Sequence, residues 1–311
     1  MKRNAQSLSI CVPGDRCINQ CRFCVVGMHP SEYKRQMDEN LPFFDLYFED
    51  YIRRMVYAKE NDANIMMITG DIEPLQNRRF LQLLGLMNQY VLPQKGVAGF
   101  NWIEIQTSGV TLDRPYARFL RNTVGVSVFS LSLASFDSDM NAEIQRMPKG
   151  LTVNIDELCS IVKEYDFTLR LSLNMSEYML QSLKVDTTDW QKATQESEIR
   201  KIFDKAKALN ADQITFRKFY SVGENEQSRW IEEHKIPEMY FDALEGYIRK
   251  NGKHIATLPY GYQQYSVNGI STVLDRDCMN EEKTEKETSK YFVLRPDCKL
   301  YDGWNKEDLI F

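Results

Sequence analysis

No run of this sequence stays apolar for the ~20 residues that a membrane-spanning helix needs. The opening residues, Met1-Lys2-Arg3-Asn4, carry charge with no long apolar stretch behind them, so no secretory leader is expected. Internal repeats and low-complexity tracts are absent. Positive charge is not in excess either: 39 Lys and Arg stand against 44 Asp and Glu, a net charge of -5. That balance argues against a large nucleic acid held by its phosphates. The seven cysteines are an odd number with no secretory context, so a disulfide framework is not expected. Free thiols fit a reducing compartment, and a cytoplasmic location is the expectation. What remains is a chain of 311 residues, 43% apolar, long enough for one large core.

Short β-rich runs alternate with longer amphipathic ones. Strands are expected at Ser7–Val12, Ile65–Thr69, Trp102–Thr107, Val126–Leu133, Thr168–Asn174 and Gln213–Phe219. Helices are expected at Phe43–Asn61, Arg79–Tyr90, Arg114–Arg121, Asn154–Tyr165, Glu198–Leu209 and Met239–Lys250. This alternation predicts an α/β fold with a parallel sheet and right-handed crossovers, a partial (β/α)6 barrel. Residues 1–250 form that core. Residues 251–311 read as a small C-terminal β-containing cap, with β-like runs at Val267–Leu274 and Tyr291–Tyr301 and a turn at Pro296-Asp297.

Strand residues two apart share a face. On that basis Glu104 and Gln106, Ser130 and Ser132, Arg170, Ser172 and Asn174, and Gln213, Thr215 and Arg217 form polar faces opposite apolar ones. The apolar faces must meet helices, so the polar faces point inward and line a cavity for something polar. Arg170 and Arg217 suit a carboxylate or phosphate, and Glu104 an amine or hydroxyl. Tyr260, Tyr262 and Tyr265 either pack or close the barrel mouth.

Cys17, Cys21 and Cys24 stand at C-x3-C-x2-C spacing, with Phe23 before the last. Three thiolates are one short of closing a four-iron cluster, which leaves one iron open. The competing reading is structural zinc with His29 as fourth ligand, but zinc sites favour C-x2-C pairs. The spacing resembles the cluster loop of the radical S-adenosylmethionine (SAM) superfamily. A second segment, Thr69-Gly70-Asp71-Ile72-Glu73-Pro74, stands where that superfamily carries Gly-Gly-Glu-Pro, with Asp71-Ile72 departing from the glycine pattern.

The resemblance implies a [4Fe–4S] cluster on Cys17, Cys21 and Cys24, with SAM chelated at the open iron. It implies that Gly70, Asp71 and Glu73 form the turn that holds the SAM ammonium. It also implies that the Phe23 backbone meets the adenine, that Ser130 or Ser132 meets the ribose, and that Arg170 or Asn174 meets the carboxylate or ribose. The implied chemistry is reductive cleavage of SAM to methionine and a 5′-deoxyadenosyl radical, which takes hydrogen from a polar substrate. That substrate is a small molecule, nucleoside or nucleotide, amino acid or peptide, and the electron donor is a flavodoxin or ferredoxin. Glu104, Gln106, Ser172, Gln213, Thr215 and Arg217 are the expected substrate-cavity residues. The segments Gln213–Arg217 and Leu294–Asp297 further resemble a bacterial subgroup of the superfamily, which implies no substrate.

Four cysteines remain. Cys11 and Cys159 read as core. Cys278 and Cys298 are too far apart for a second cluster. Cys298, in the expected turn, is a candidate hydrogen-atom donor to a substrate radical. Two other functions compete: a non-catalytic iron–sulfur or zinc protein, and a radical activase acting on a partner protein.

Overall fold

The computed structural model describes residues 4–28, 48–258, 261–276, 288–289, 291–304 and 306–311. His29, Tyr260 and Cys278, and the start of the expected first helix, lie outside them. Six strands follow the expected series: β1 (Ser7–Cys11), β2 (Ile65–Thr69), β3 (Trp102–Thr107), β4 (Val128–Leu133), β5 (Thr168–Met175) and β6 (Gln213–Lys218). They lie side by side, all parallel.

The C-terminal strands join both edges of this sheet instead of forming a separate layer. They are β7 (Gly252–Thr257), β8 (Gln263–Val267), β9 (Ile270–Asp275), β10 (Phe292–Leu294) and β11 (Leu300–Tyr301). The order is β11-β10-β1-β2-β3-β4-β5-β6-β9-β8-β7. β10 runs parallel to β1 and β9 parallel to β6, while β7, β8 and β11 add antiparallel margins. Among the described residues the two ends of the sheet do not pair, so the barrel is partial. The expected β-like run at Val267–Leu274 resolves into a hairpin, β8 and β9, joined by Asn268-Gly269. Both turn residues have positive φ, 52° and 87°, as a type I′ turn requires.

Helices cover the outer face. The longer ones are α1 (Phe48–Glu60), α2 (Arg78–Leu86), α3 (Arg114–Phe119), α4 (Ser138–Ile144) and α5 (Ile155–Glu164). After the short α6 (Glu177–Gln181) and α7 (Trp190–Ala193) come α8 (Glu196–Ala208), α9 (Glu226–His234) and α10 (Glu238–Asn251). Asp113, Asp137, Asn154 and Asn225 cap α3, α4, α5 and α9 through their side chains. No helix among the described residues is long and apolar enough to cross a membrane.

The outward side chains of the strands, among them Ile10, Ile68, Ile105, Phe129, Leu171 and Phe216, are fully buried beneath these helices. Each contributes about 1.5–3 kcal/mol by leaving water. With that face apolar and covered, the alternate residues face inward.

Candidate active site

The loop after β1 carries the three cysteines and is tied down on three sides. Gln76 accepts from the Ile18 amide at 2.6 Å and donates to the Arg16 carbonyl at 3.0 Å. Asn19 donates to the Ser108 hydroxyl at 2.8 Å. The amides of Gln20 and Arg22 bond to the carbonyls of Gln145 and Ile144 at the end of α4. The loop is therefore preorganised by the turn after β2, by the end of β3 and by α4.

Cys17, Cys21 and Cys24 line one chamber of about 280 Å³ at the C-terminal ends of the strands. Burial pushes the Cys17 and Cys21 thiols up, and at Cys21 the neighbouring Cys24 and Cys17 thiolates add to it. Thiols crowded in this way ionise together only beside a compensating positive charge, which metal ions supply. Among the described residues no three His, Cys, Asp or Glu side chains converge on one point that would hold a single metal ion.

Gly70 closes β2 with φ at 143°, and a Cβ there would sit 2.7 Å from the Val12 amide nitrogen. The turn that follows places Asp71 and Glu73 on the chamber wall. Glu73 is 5% exposed, and both carboxylate oxygens are occupied. One accepts from the Thr107 hydroxyl and the Leu75 amide, the other from the Ser108 amide at 2.9 Å and the Ser108 hydroxyl at 2.7 Å. Burial raises its pKa against the pull of these donors.

Phe23, Gly70, Asp71, Glu73, Ser130, Ser132 and Asn174 all line this upper chamber. Two buried polar atoms on its wall, Ser130 Oγ and Asn19 Oδ1, have no partner among the described residues. A buried polar atom without a partner is costly, so a polar ligand suits this wall. Phe23 packs against Phe219 and Trp230, at 5.1 and 6.2 Å between centroids.

A second chamber of about 510 Å³ lies deeper and shares Gly70, Asp71, Gln106 and Arg217 with the first. Glu104, Gln106, Gln213, Thr215 and Arg217 line it as the strand alternation predicts. Two placements differ from expectation. Arg170 lines the lower chamber rather than the upper one, because Gln213 on the adjacent β6 and Glu104 on β3, two strands away, hold it there. Ser172 lines the upper chamber, bonded to Arg217 Nε at 2.8 Å. Cys298 lines neither chamber: it is 4% exposed in the apolar core, and burial pushes its thiol up to about 12. Tyr262 and Tyr265 also line neither chamber.

Other lining residues went unforeseen. Ser271 and Asp275 face inward by the same two-residue alternation, a signal present in β9 once that strand is placed in the barrel. Tyr291 and Trp304 line the other margin of the opening. The loop clamps Gln76, Ser108 and Gln145 carry no sequence signal, since each acts across a long separation.

No protein family matches this chain, and no curated protein matches it. Among solved structures, Streptococcus suis SuiB bound to S-adenosylmethionine is similar, with a TM-score of 0.57 and 13% identity over 96% of this chain and 60% of SuiB. SuiB bound to the precursor peptide SuiA gives a TM-score of 0.54 at the same identity and coverage. The chain thus spans about 60% of the length of the structure it matches. At this identity the likeness is one of fold: an open, partial α/β barrel like that of SuiB.

Proposed function

We propose that this chain is a radical SAM enzyme, with a [4Fe–4S] cluster on Cys17, Cys21 and Cys24 and SAM in the upper chamber. The observation that carries this reading is the convergence of those cysteines, the Gly70–Glu73 turn and the unpartnered Ser130 and Asn19 atoms on one chamber. When bound, the cluster supplies the electron that cleaves SAM to methionine and a 5′-deoxyadenosyl radical.

The chain's own residues do the positioning. Gln76, Ser108 and Gln145 fix the backbone of the cysteine loop. Gly70 and Glu73 present acceptors to the SAM ammonium, with Asp71 on the same wall. An ammonium that reaches the Glu73 carboxylate displaces a hydroxyl donor, Thr107 or Ser108, and gains a charge-assisted bond in return. Ser130, Ser132 and Asn174 offer hydroxyl and amide groups to the ribose. Phe23, braced by Phe219 and Trp230, shields the chamber from water.

The shared chamber wall gives a substrate in the lower chamber direct access to the upper one. The lower chamber's volume, about 510 Å³, lies in the range of small-molecule sites. The likeness to SuiB holding a precursor peptide adds a peptide side chain as a candidate occupant. A flavodoxin or ferredoxin would supply the electron.

Electron paramagnetic resonance of the anaerobically reconstituted, reduced protein tests the cofactor assignment. Adding SAM shifts the cluster signal if SAM coordinates the open iron. A cluster signal unmoved by saturating SAM would overturn the assignment.

A further inference from the structure

The lower chamber carries two charge pairs built in different ways. Glu104 and Arg170 are closed on each other. The second Glu104 oxygen accepts from Gln106 at 3.1 Å, and Arg170 Nε donates to Gln213 at 2.7 Å. Asp275 instead faces Arg217 across the β6–β9 register, with Nη1 and Oδ2 3.8 Å apart. That is too long for a hydrogen bond. The other oxygen, Asp275 Oδ1, is shut off from solvent and meets no donor among the described residues. Buried carboxylate oxygens are normally satisfied, so this one is an acceptor left open among the described residues.

The surroundings specify the donor further. Among the described residues, the carboxylates of Asp71, Glu104 and Asp275 line this chamber against the guanidiniums of Arg170 and Arg217, one more negative group than positive. Tyr291 and Trp304 line the opposite margin of the opening, beyond β1. An apolar or aromatic body fits there, with its charged end toward β9.

We propose that the lower chamber selects its substrate by a primary ammonium bound to Asp275, with the substrate's apolar body against Tyr291 and Trp304. This rests on the reading that SAM occupies the upper chamber. The ammonium comes either from a free amine or from a lysine side chain in a peptide.

The test is calorimetric titration of the reconstituted protein, with and without SAM. The probes are phenethylamine, its anionic counterpart 3-phenylpropanoate, and the peptide acetyl-Gly-Lys-Gly-amide. An ammonium probe binds at least about tenfold tighter than 3-phenylpropanoate, the scale of one charge-assisted bond. Asp275→Asn loses that preference and Asp275→Glu, which keeps the charge, retains most of it; circular dichroism confirms that both variants fold. Tighter binding of the peptide assigns the amine to a peptide side chain, and tighter binding of phenethylamine assigns it to a free amine. Three results would each overturn the proposal: preference for 3-phenylpropanoate, an amine preference that survives Asp275→Asn, or no saturable binding of either ammonium probe. Failure of SAM itself to bind would instead remove the cofactor assignment, while the titrations without SAM still report on Asp275.

Discussion

Two residues show how closely single positions are bound to the whole. Gly70 links β2 to the turn that carries Asp71 and Glu73, and its φ of 143° is out of reach for other residues without strain. Gly70→Ala also drives a Cβ to 2.7 Å from the Val12 nitrogen, so a loss of about 1–3 kcal/mol or more is expected. Urea unfolding measures it, and a variant as stable as the native protein would contradict the geometry.

Cys298 makes the second case. Burial and the nearby Asp297 push its thiol up to about 12. A thiol raised on folding adds stability that is complete below its unfolded value of about 8.5 and fades as pH climbs toward the folded value. The stability of the native protein relative to Cys298→Ala therefore falls between about pH 8.5 and about pH 12. Urea midpoints at a series of pH values measure the trend, and a pH-independent difference would refute it. Alkylation at neutral pH is slow in the folded protein and fast after unfolding.

Among the elements, the central strands were the most legible part of the sequence. Their period-2 alternation of polar and apolar side chains placed Glu104, Gln106, Gln213, Thr215 and Arg217 inside the barrel. What was not legible depends on pairing partners far away in sequence. β9 and β10 look like ordinary short strands, and nothing local says that one pairs with β6 and the other with β1. α4 and α9 lie outside the expected helices, and the extra turns after α2 and α3 bulge into wider π-type turns that hydrophobic spacing does not encode. The role of Arg170 followed the same logic: its strand face was readable, but its capture by Glu104 two strands away was not. That pair is a test at this scale. Glu104 is 2% exposed, so Glu104→Ala strands a mostly buried guanidinium and costs about 3–5 kcal/mol. Thermal melting measures this, and a cost below about 1 kcal/mol would show the pair to be no stronger than a surface one.

On the scale of the whole molecule, the C-terminal segment is part of the site. Its strands cover the edges of β1 and β6, and its Asp275, Tyr291 and Trp304 wall the lower chamber. A chain ended after residue 251 would bare both edges of a parallel sheet that is normally covered. Such a truncation is expected to aggregate on expression; a soluble, monomeric product would show that the core stands without its margins.

The chambers, the cysteine loop and the turn after β2 converge on a single claim, that this barrel cleaves SAM. Production of 5′-deoxyadenosine from SAM by the anaerobically reconstituted, reduced protein tests it most directly, with an iron count and Cys21→Ala alongside. The expected result is deoxyadenosine from the native protein, iron for one cluster, and neither cluster nor product from the variant. A fully loaded native protein that releases no deoxyadenosine, alone or with amine and peptide probes present, would contradict the claim and leave a structural metal site in its place.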